Sequence, residues 1–323
     1  MSQDAFAIIE QKMRRDNQPQ IAIDNCRHYY SVLTASDSNF IRETAIEPVA
    51  DLPDASQFAD DDELTTLGEK TLKRTVLMKL NGGLGTSMGL TGPKASLTVK
   101  DSYTFLDIIA KQAEIAQTPL LLMTSFNTHE DTQQAMAGRS TLHQQGLPFA
   151  FMQHRMPKIR RDNLQPVQWD ANPELEWYPP GHGDVFIALV TSGMLDKLLS
   201  LGYKYLFSSN SDNLGAVLDR GILGYVVKHD IPFLMEAVER TPSDRKGGHV
   251  ARYHDGRLLL RERTHCHDDD RIYFEDTERY PYFNANNLWI NLEALKQTLI
   301  AHNYLPKLPL IRNHKTVDPR DET

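Results

Sequence analysis

An apolar run of strand character, Thr75-Val-Leu-Met-Lys-Leu80, feeds directly into a loop holding Gly82, Gly83, Gly85, Gly89 and Gly92. Lys94 follows at once, after Gly92-Pro93. Glycine has no Cβ, so this backbone can turn sharply and bring its N–H groups against a phosphate or a base. A strand, a glycine loop and a lysine in that order describe a nucleotide site at the end of a β-strand. Two familiar glycine loops are excluded by spacing. The dinucleotide fingerprint G-x-G-x-x-G has Gly83 and Gly85 in place but Met88 at its third position. The ATPase P-loop requires Gly-Lys-Ser/Thr, whereas Pro93 separates Gly92 from Lys94 and Ala95 follows the lysine.

What remains is a loop of nucleotidyltransferase type. The stretch Lys79-Leu-Asn-Gly-Gly-Leu-Gly-Thr-Ser-Met-Gly89, with Gly92-Pro-Lys94 after it, resembles the UTP–glucose-1-phosphate uridylyltransferase family, also called UDP-glucose pyrophosphorylases. Four further blocks stand in that family's order: Ser125–Thr132, Trp177–Asp184, Ser209–Gly215 and Phe283–Trp289. The resemblance runs from about residue 70 to about residue 320.

Alternating strand and helix patterns from residue 75 onward predict an α/β fold with a mixed, mainly parallel sheet and helices on both faces. The resemblance implies the Rossmann-like arrangement of nucleotide-diphospho-sugar transferases. Expected strands are 75–80, 119–124, 148–152, 204–209, 231–237 and 286–290, and expected helices are 103–117, 183–201, 213–228 and 291–303. Asp184 is the expected N-cap of the second helix, and Asn213 a candidate cap of the third. Residues 248–262 read as a hairpin turning at Asp255-Gly256. Ahead of this domain, Phe6, Ile9 and Met13, then Ile23, Cys26, Tyr30 and Leu33, recur at helical spacing and predict an N-terminal helical hairpin. Residues 47–66, with Pro48, Pro53 and the acidic run Asp60–Glu63, read as a connector with a solvated loop. The expected division is therefore 1–66, then a catalytic domain over 67–323, without the C-terminal β-helical domain that the family carries.

A net charge of −8 argues against an electrostatic nucleic-acid binder. No apolar run approaches the roughly 20 residues of a membrane span. The N-terminus lacks the basic and apolar regions of a signal peptide, and Cys26 and Cys266 form no framework, so a cytoplasmic setting is expected.

The resemblance implies the reaction: glucose 1-phosphate attacks the α-phosphate of UTP and expels pyrophosphate. Such chemistry needs alignment and positive charge more than covalent help. Mg²⁺ is the expected cofactor, held by Asp212 just beyond the strand 204–209. Lys94 and Lys315 are the expected phosphate lysines and, with Asp212, the catalytic set. Leu80, Asn81, Gly82 and Gly83 are expected to offer backbone groups to the nucleotide. Gln153 matches the family's uracil reader, because an amide supplies both donor and acceptor, and Gly181 would let backbone approach the base. His182, Asn210, Gly248, Glu262, Asn284 and Asn286 are expected around the sugar phosphate. His265-Cys-His267 with Asp268–Asp270 fits no common zinc spacing and reads as a solvated hairpin end. Arg155, Lys158, Arg160 and Arg161 read as a basic surface near the nucleotide mouth, without interleaved aromatics. Two alternatives stand beside this reading: another sugar 1-phosphate as substrate, or a nucleotide-sugar binder with little or no turnover.

Overall fold

The computed structural model describes residues 2–35, 40–85, 92–139 and 146–318. Met88 and Gly89 of the glycine loop, and the last five residues, lie outside the described residues. The chain opens with helices α1 (Ser2–Arg15) and α2 (Gln20–Thr34), strand β1 (Ile46–Pro48), and helices α3 (Ser56–Ala59) and α4 (Asp62–Leu72). Next come β2 (Thr75–Asn81), β3 (Thr98–Lys100), β4 (Tyr103–Thr104), α5 (Phe105–Ala116), β5 (Leu120–Thr124), α6 (His129–Met136), β6 (Ala150–Met152), β7 (Met156–Pro157) and β8 (Trp177–Tyr178). The second half holds α7 (Val185–Thr191), α8 (Met194–Ser200), β9 (Tyr205–Asn210), α9 (Arg220–Lys228) and β10 (Phe233–Glu239). It ends with β11 (His249–Tyr253), β12 (Leu258–Arg261), α10 (Arg271–Phe274), β13 (Tyr282–Asn291) and α11 (Leu292–Ala301).

The main sheet runs β1-β11-β13-β9-β2-β5-β6, with β10 also on β13 and β12 on β11. β9, β2, β5 and β6 pair in parallel, and the remaining pairings are antiparallel. β2 is buried along its whole length. Its alternation sends Val76, Met78 and Leu80 to one face, where Ala188, Leu195 and Leu299 of α7, α8 and α11 cover them. Leu77 faces the other side, against Leu106 and Ile109 of α5 and Leu223 and Val226 of α9. Helices on both faces thus favour apolar residues along β2, and Thr75, Lys79 and Asn81 are its buried polar exceptions. No helix among the described residues is long and apolar enough to cross a membrane.

Three expected elements differ from the observed ones. The helix expected over 183–201 is two helices, broken where Gly193 takes φ +71°. Asp184 precedes the first of them but does not cap it with its side chain. Its carboxylate accepts the His154 backbone N–H at 2.7 Å and faces the His154 ring at 2.9 Å. The helix expected over 213–228 is helical only from Arg220, with Asp219 as its cap through the Ile222 N–H at 2.8 Å, so Asn213 caps nothing there. The acidic run 60–63 is a helix start rather than a free loop: Asp61 accepts from the Glu63 and Leu64 N–H groups at 2.9 and 3.0 Å.

The connector therefore carries structure. β1 pairs antiparallel with β11, and α4 packs on α9. That packing is close because the contact positions are glycines. A Cβ on Gly224 would overlap the Leu64 carbonyl, and one on Gly68 the Arg220 carbonyl. Gly224→Ala should thus force the two helices apart and cost about 1–3 kcal/mol, as overpacking does. Urea unfolding measures this, and a variant as stable as the parent would refute the close contact.

The N-terminal hairpin forms as expected. Phe6, Ile9, Met13, Ile23, Cys26 and Tyr30 pack together with Met156 and Trp177 of the small β7–β8 ribbon. Arg155 is part of this contact rather than of a free basic surface. Its guanidinium lies 4.5 Å from the Phe126 ring centre and 4.9 Å from that of Trp177, and it pairs with Asp16 and Glu174. At the opposite end, β11 and β12 form the expected hairpin, with Gly256 at φ +90° in its turn. Below it lies a buried ionic cluster. Arg261, fully buried, donates to Glu43 at 2.8 Å and to Asp270 at 3.3 Å. Glu43 also accepts from Arg279 at 2.9 Å and from the Tyr280 hydroxyl at 2.8 Å. Asp270 is therefore a buried ion-pair member and not part of a solvated end; His265 and Cys266 beside it are buried as well.

Candidate active site

The carboxyl ends of parallel strands are where ligands of such sheets bind, and the ends of β2, β5, β6 and β9 converge here. Asn81, the last residue of β2, is buried. Its amide donates to Thr132 Oγ1 at 2.9 Å and accepts from Ser211 Oγ at 3.2 Å, while its carbonyl accepts from Thr128 Oγ1 at 2.7 Å. Ser125 Oγ donates to the Gly82 carbonyl at 2.8 Å. The block 125–132 thus braces the start of the glycine loop with three hydroxyls, a role the sequence signals by placing Ser125, Thr128 and Thr132 on one side of a helical turn. The Leu80 carbonyl is likewise engaged, by the Ser211 N–H at 3.2 Å. For Leu80, Asn81 and Gly82, these carbonyls serve the fold.

Both ends of the glycine loop are tied together. Gly85 N–H donates to the Gly92 carbonyl at 3.2 Å, and Lys94 N–H to that of Gly83 at 3.3 Å. This closure returns Lys94 to the strand end, in the turn Lys94–Ser96. Its Nζ lies 3.6 Å from Asp212 Oδ2, two residues beyond β9, and both side chains are partly open to solvent. The two residues of opposite charge face each other across a gap, each with room for a further partner. Among the described residues no group of three or more His, Cys, Asp or Glu side chains gathers.

On one side of this pair lies Gln153, just past β6. Its Oε1 accepts the Gly181 N–H at 2.9 Å, and its amide nitrogen packs so closely on Gly82 that a Cβ there would have to displace it. Gly181 itself has φ +92°, which a side chain rarely tolerates. His154, next to Gln153, is held by Asp184 and by Thr191 Oγ1 at 2.9 Å. The buried His154–Asp184 pair thereby locks β6 to the turn that carries Gly181 and His182.

On the other side, Asn286 uses both protons of its amide, one to Asn210 Oδ1 at 2.7 Å and one to His182 Nδ1 at 3.0 Å. A bulge in β13 opposite Glu236 and Ala237 makes this possible: Asn286 adopts φ +56°, and its N–H donates to Asn284 Oδ1 at 2.7 Å. Loss of hydration lowers the His182 pKa below its ordinary value; Asp212 opposes the shift and Lys94 adds to it. The neutral ring this favours agrees with Nδ1 acting as an acceptor. Further along, Gly248 lies against the Glu262 carboxylate, where a Cβ would come within 2.6 Å of it. Burial raises the Glu262 pKa.

The structure thus brings Gly82, Lys94, Gln153, Gly181, His182, Asn210, Asp212, Asn284 and Asn286 together, and sets Gly248 and Glu262 side by side. Lys315 is not joined to the Lys94–Asp212 pair. It is exposed, and the charge it acts on is that of Lys158, whose ammonium donates to the Val317 carbonyl at 2.7 Å.

Known proteins resemble this chain in sequence and in fold. The family model for UTP–glucose-1-phosphate uridylyltransferase matches residues 24–323. The enzyme of that name from Musa acuminata is 41% identical over 257 residues, 77% of this chain and 54% of the relative. The chain thus spans about half the length of the curated relatives it matches. UDP-glucose pyrophosphorylase from Leishmania major, solved in open and closed structures, superposes with a TM-score of 0.88 at 39% identity, over 98% of this chain and 69% of that one. A variant of the same Leishmania enzyme, solved in complex with UDP-glucose, also gives 0.88 at 38% identity and the same coverage. The chain belongs to the UTP–glucose-1-phosphate uridylyltransferase family.

Proposed function

We propose that this chain transfers a uridylyl group from UTP to glucose 1-phosphate. The observation that carries the reading is the Lys94–Asp212 pair at the strand mouth, with Gln153 and Gly181 on one side and Asn286, Asn210 and His182 on the other. In the reaction, a phosphate oxygen of glucose 1-phosphate forms a bond to the UTP α-phosphorus. The bond from that phosphorus to the bridging oxygen breaks, and pyrophosphate leaves with its electron pair. Lys94, a compact point charge, would neutralise phosphate oxygens. Gln153 would read the uracil edge, and the asparagines with His182 and Glu262 would take sugar hydroxyls and phosphate. A single carboxylate fits Mg²⁺, which takes one or two protein ligands and completes its shell with phosphate and water. Asp212 would hold it, and the ion would supply positive charge to the phosphates. Cys26 and Cys266 are unpaired and buried, which suits a reducing, cytosolic setting.

Pyrophosphate release from UTP and glucose 1-phosphate tests the reading, with galactose 1-phosphate and N-acetylglucosamine 1-phosphate as competitors. No release, or release with another sugar alone, overturns it. The exposed position of Lys315 favours a second reading, a nucleotide-sugar binder of slow turnover. Calorimetric binding of UDP-glucose without matching turnover would select that one.

Gln153→Ala should weaken UTP binding by about 1–3 kcal/mol, the usual cost of a polar edge left without its partner. Selectivity for UTP over CTP and TTP should fall with it. Unchanged selectivity would transfer base reading to the backbone around Gly181.

A further inference from the structure

Lys79 lies inside β2, a strand buried along its whole length, and is itself fully buried. It shares the sheet face of Leu77, which is covered by apolar residues of α5 and α9. Its ammonium makes no ion pair among the described residues. Its three protons instead meet Ser209 Oγ at 2.7 Å, the Ala216 carbonyl at 2.8 Å and the Asn213 carbonyl at 3.5 Å. Glu236 is the carboxylate that acts on it, and that group is already engaged by Asn287 and Trp289. Burial lowers the lysine to about 8. Holding a charge here is therefore costly, where methionine would fit the apolar face. All three acceptors belong to one stretch, the end of β9 and the loop after it. That stretch carries Asn210 and Asp212.

We propose that Lys79 is a positioning residue, whose ammonium fixes the backbone of residues 209–216 so that Asp212 faces Lys94 and Asn210 faces Asn286. Lys79 touches neither nucleotide nor sugar. It acts from beneath, turning the eight-residue connection between β9 and the α9 cap, residues 211–218, into a fixed platform. The role rests on the proposed uridylyl transfer for its catalytic meaning, but the ordering of the loop is a property of the free chain.

The test uses Lys79→Met in the full chain, with two readouts. Amide hydrogen exchange follows Ser211 and Asn213, whose N–H groups donate to Leu80 and Asn210. Steady-state kinetics separate kcat from KM for UTP. Exchange over 211–216 should accelerate at least about tenfold while β5 is unaffected, the signature of local rather than global opening. The kcat should fall at least about tenfold with KM for UTP within about threefold, because the Gln153 side of the site is not held by Lys79. Unchanged exchange over 211–216, exchange raised equally across the sheet, or an unchanged kcat would overturn the assignment. If the parent chain itself releases no pyrophosphate, the proposed function fails, and exchange alone decides the role of Lys79. If Lys79→Met does not fold, Ser209→Ala removes the shortest of the three contacts and takes the same readouts. It should show the same local pattern in weaker form, and its absence would count equally against the proposal.

Discussion

Asp212→Ala should lower kcat by about 10²–10³ or more, the range seen when a preorganised charge at a reacting centre is removed. The residue is the carboxylate partner of Lys94 and the proposed Mg²⁺ ligand, so the variant loses two functions in one deletion. It leaves Lys94 free to collapse onto whichever anion is near. Asp212→Asn should be almost as poor, because the amide keeps the shape and discards the charge. Neither change should harm folding, since the side chain is substantially exposed; a thermal unfolding midpoint within a few degrees of the parent verifies this. A second measurement removes the dependence on turnover: the Mg²⁺-dependent part of UTP binding, followed by calorimetry, should vanish. Near-normal Mg²⁺-dependent turnover in Asp212→Ala would sink the assignment.

Glu43→Ala should destabilise the chain by about 3–5 kcal/mol, the cost of leaving a buried charge without its partner. Glu43 is the hub at which Arg261, Arg279 and Tyr280 meet. Removing it strands the fully buried Arg261 with Asp270 alone, at 3.3 Å. Arg261→Met should cost less, because Glu43 keeps two donors and methionine fills the space. Urea unfolding of both variants measures the order. Equal, small losses would mean that water enters the cluster and that the charges are not truly buried. The cluster joins the segment after α2 to the hairpin bearing Glu262, so Glu43→Ala should also weaken sugar phosphate binding.

The sequence made the parallel half of the sheet plain. Short continuous apolar runs such as Leu120-Leu-Leu-Met123, bounded by turn residues, fit strands covered on both faces, and the structure has them within a residue or two. The helix expected over 213–228 shows where local pattern fails. Leu214, Ala216, Val217 and Leu218 are apolar enough for a helix. Yet the carbonyls of Asn213 and Ala216 are drawn to Lys79, a residue more than a hundred positions earlier. A tertiary hydrogen bond of this kind leaves no trace in local periodicity. Gly193 marks a similar limit, since apolar spacing continues across it and only its left-handed backbone ends α7. The candidate site residues stand mostly in motif blocks, but which of them meet in space is not readable from those blocks. Asn286 reaches His182 and Asn210 only because a bulge turns it inward. Arg155 lacks aromatic neighbours in its own segment, and its partners Phe126 and Trp177 lie far from it in sequence.

The place of β13 bears on how the chain is made. It is the last strand described, yet it lies at the centre, joining β9 on one side to β10 and β11. A nascent chain emerging from the ribosome can assemble the parallel block and the β11–β12 hairpin early. It cannot unite them until residue 291 is clear of the exit tunnel. Until then the free edge of β9 stays open, and unpaired strand edges are templates for aggregation. At about 5–20 residues per second, the interval between completing β9 and completing β13 is roughly 4–16 s. During that interval the open edge exposes the chain to aggregation. Truncations ending before Tyr282 should therefore collect as insoluble material even though the parallel half of the sheet is complete.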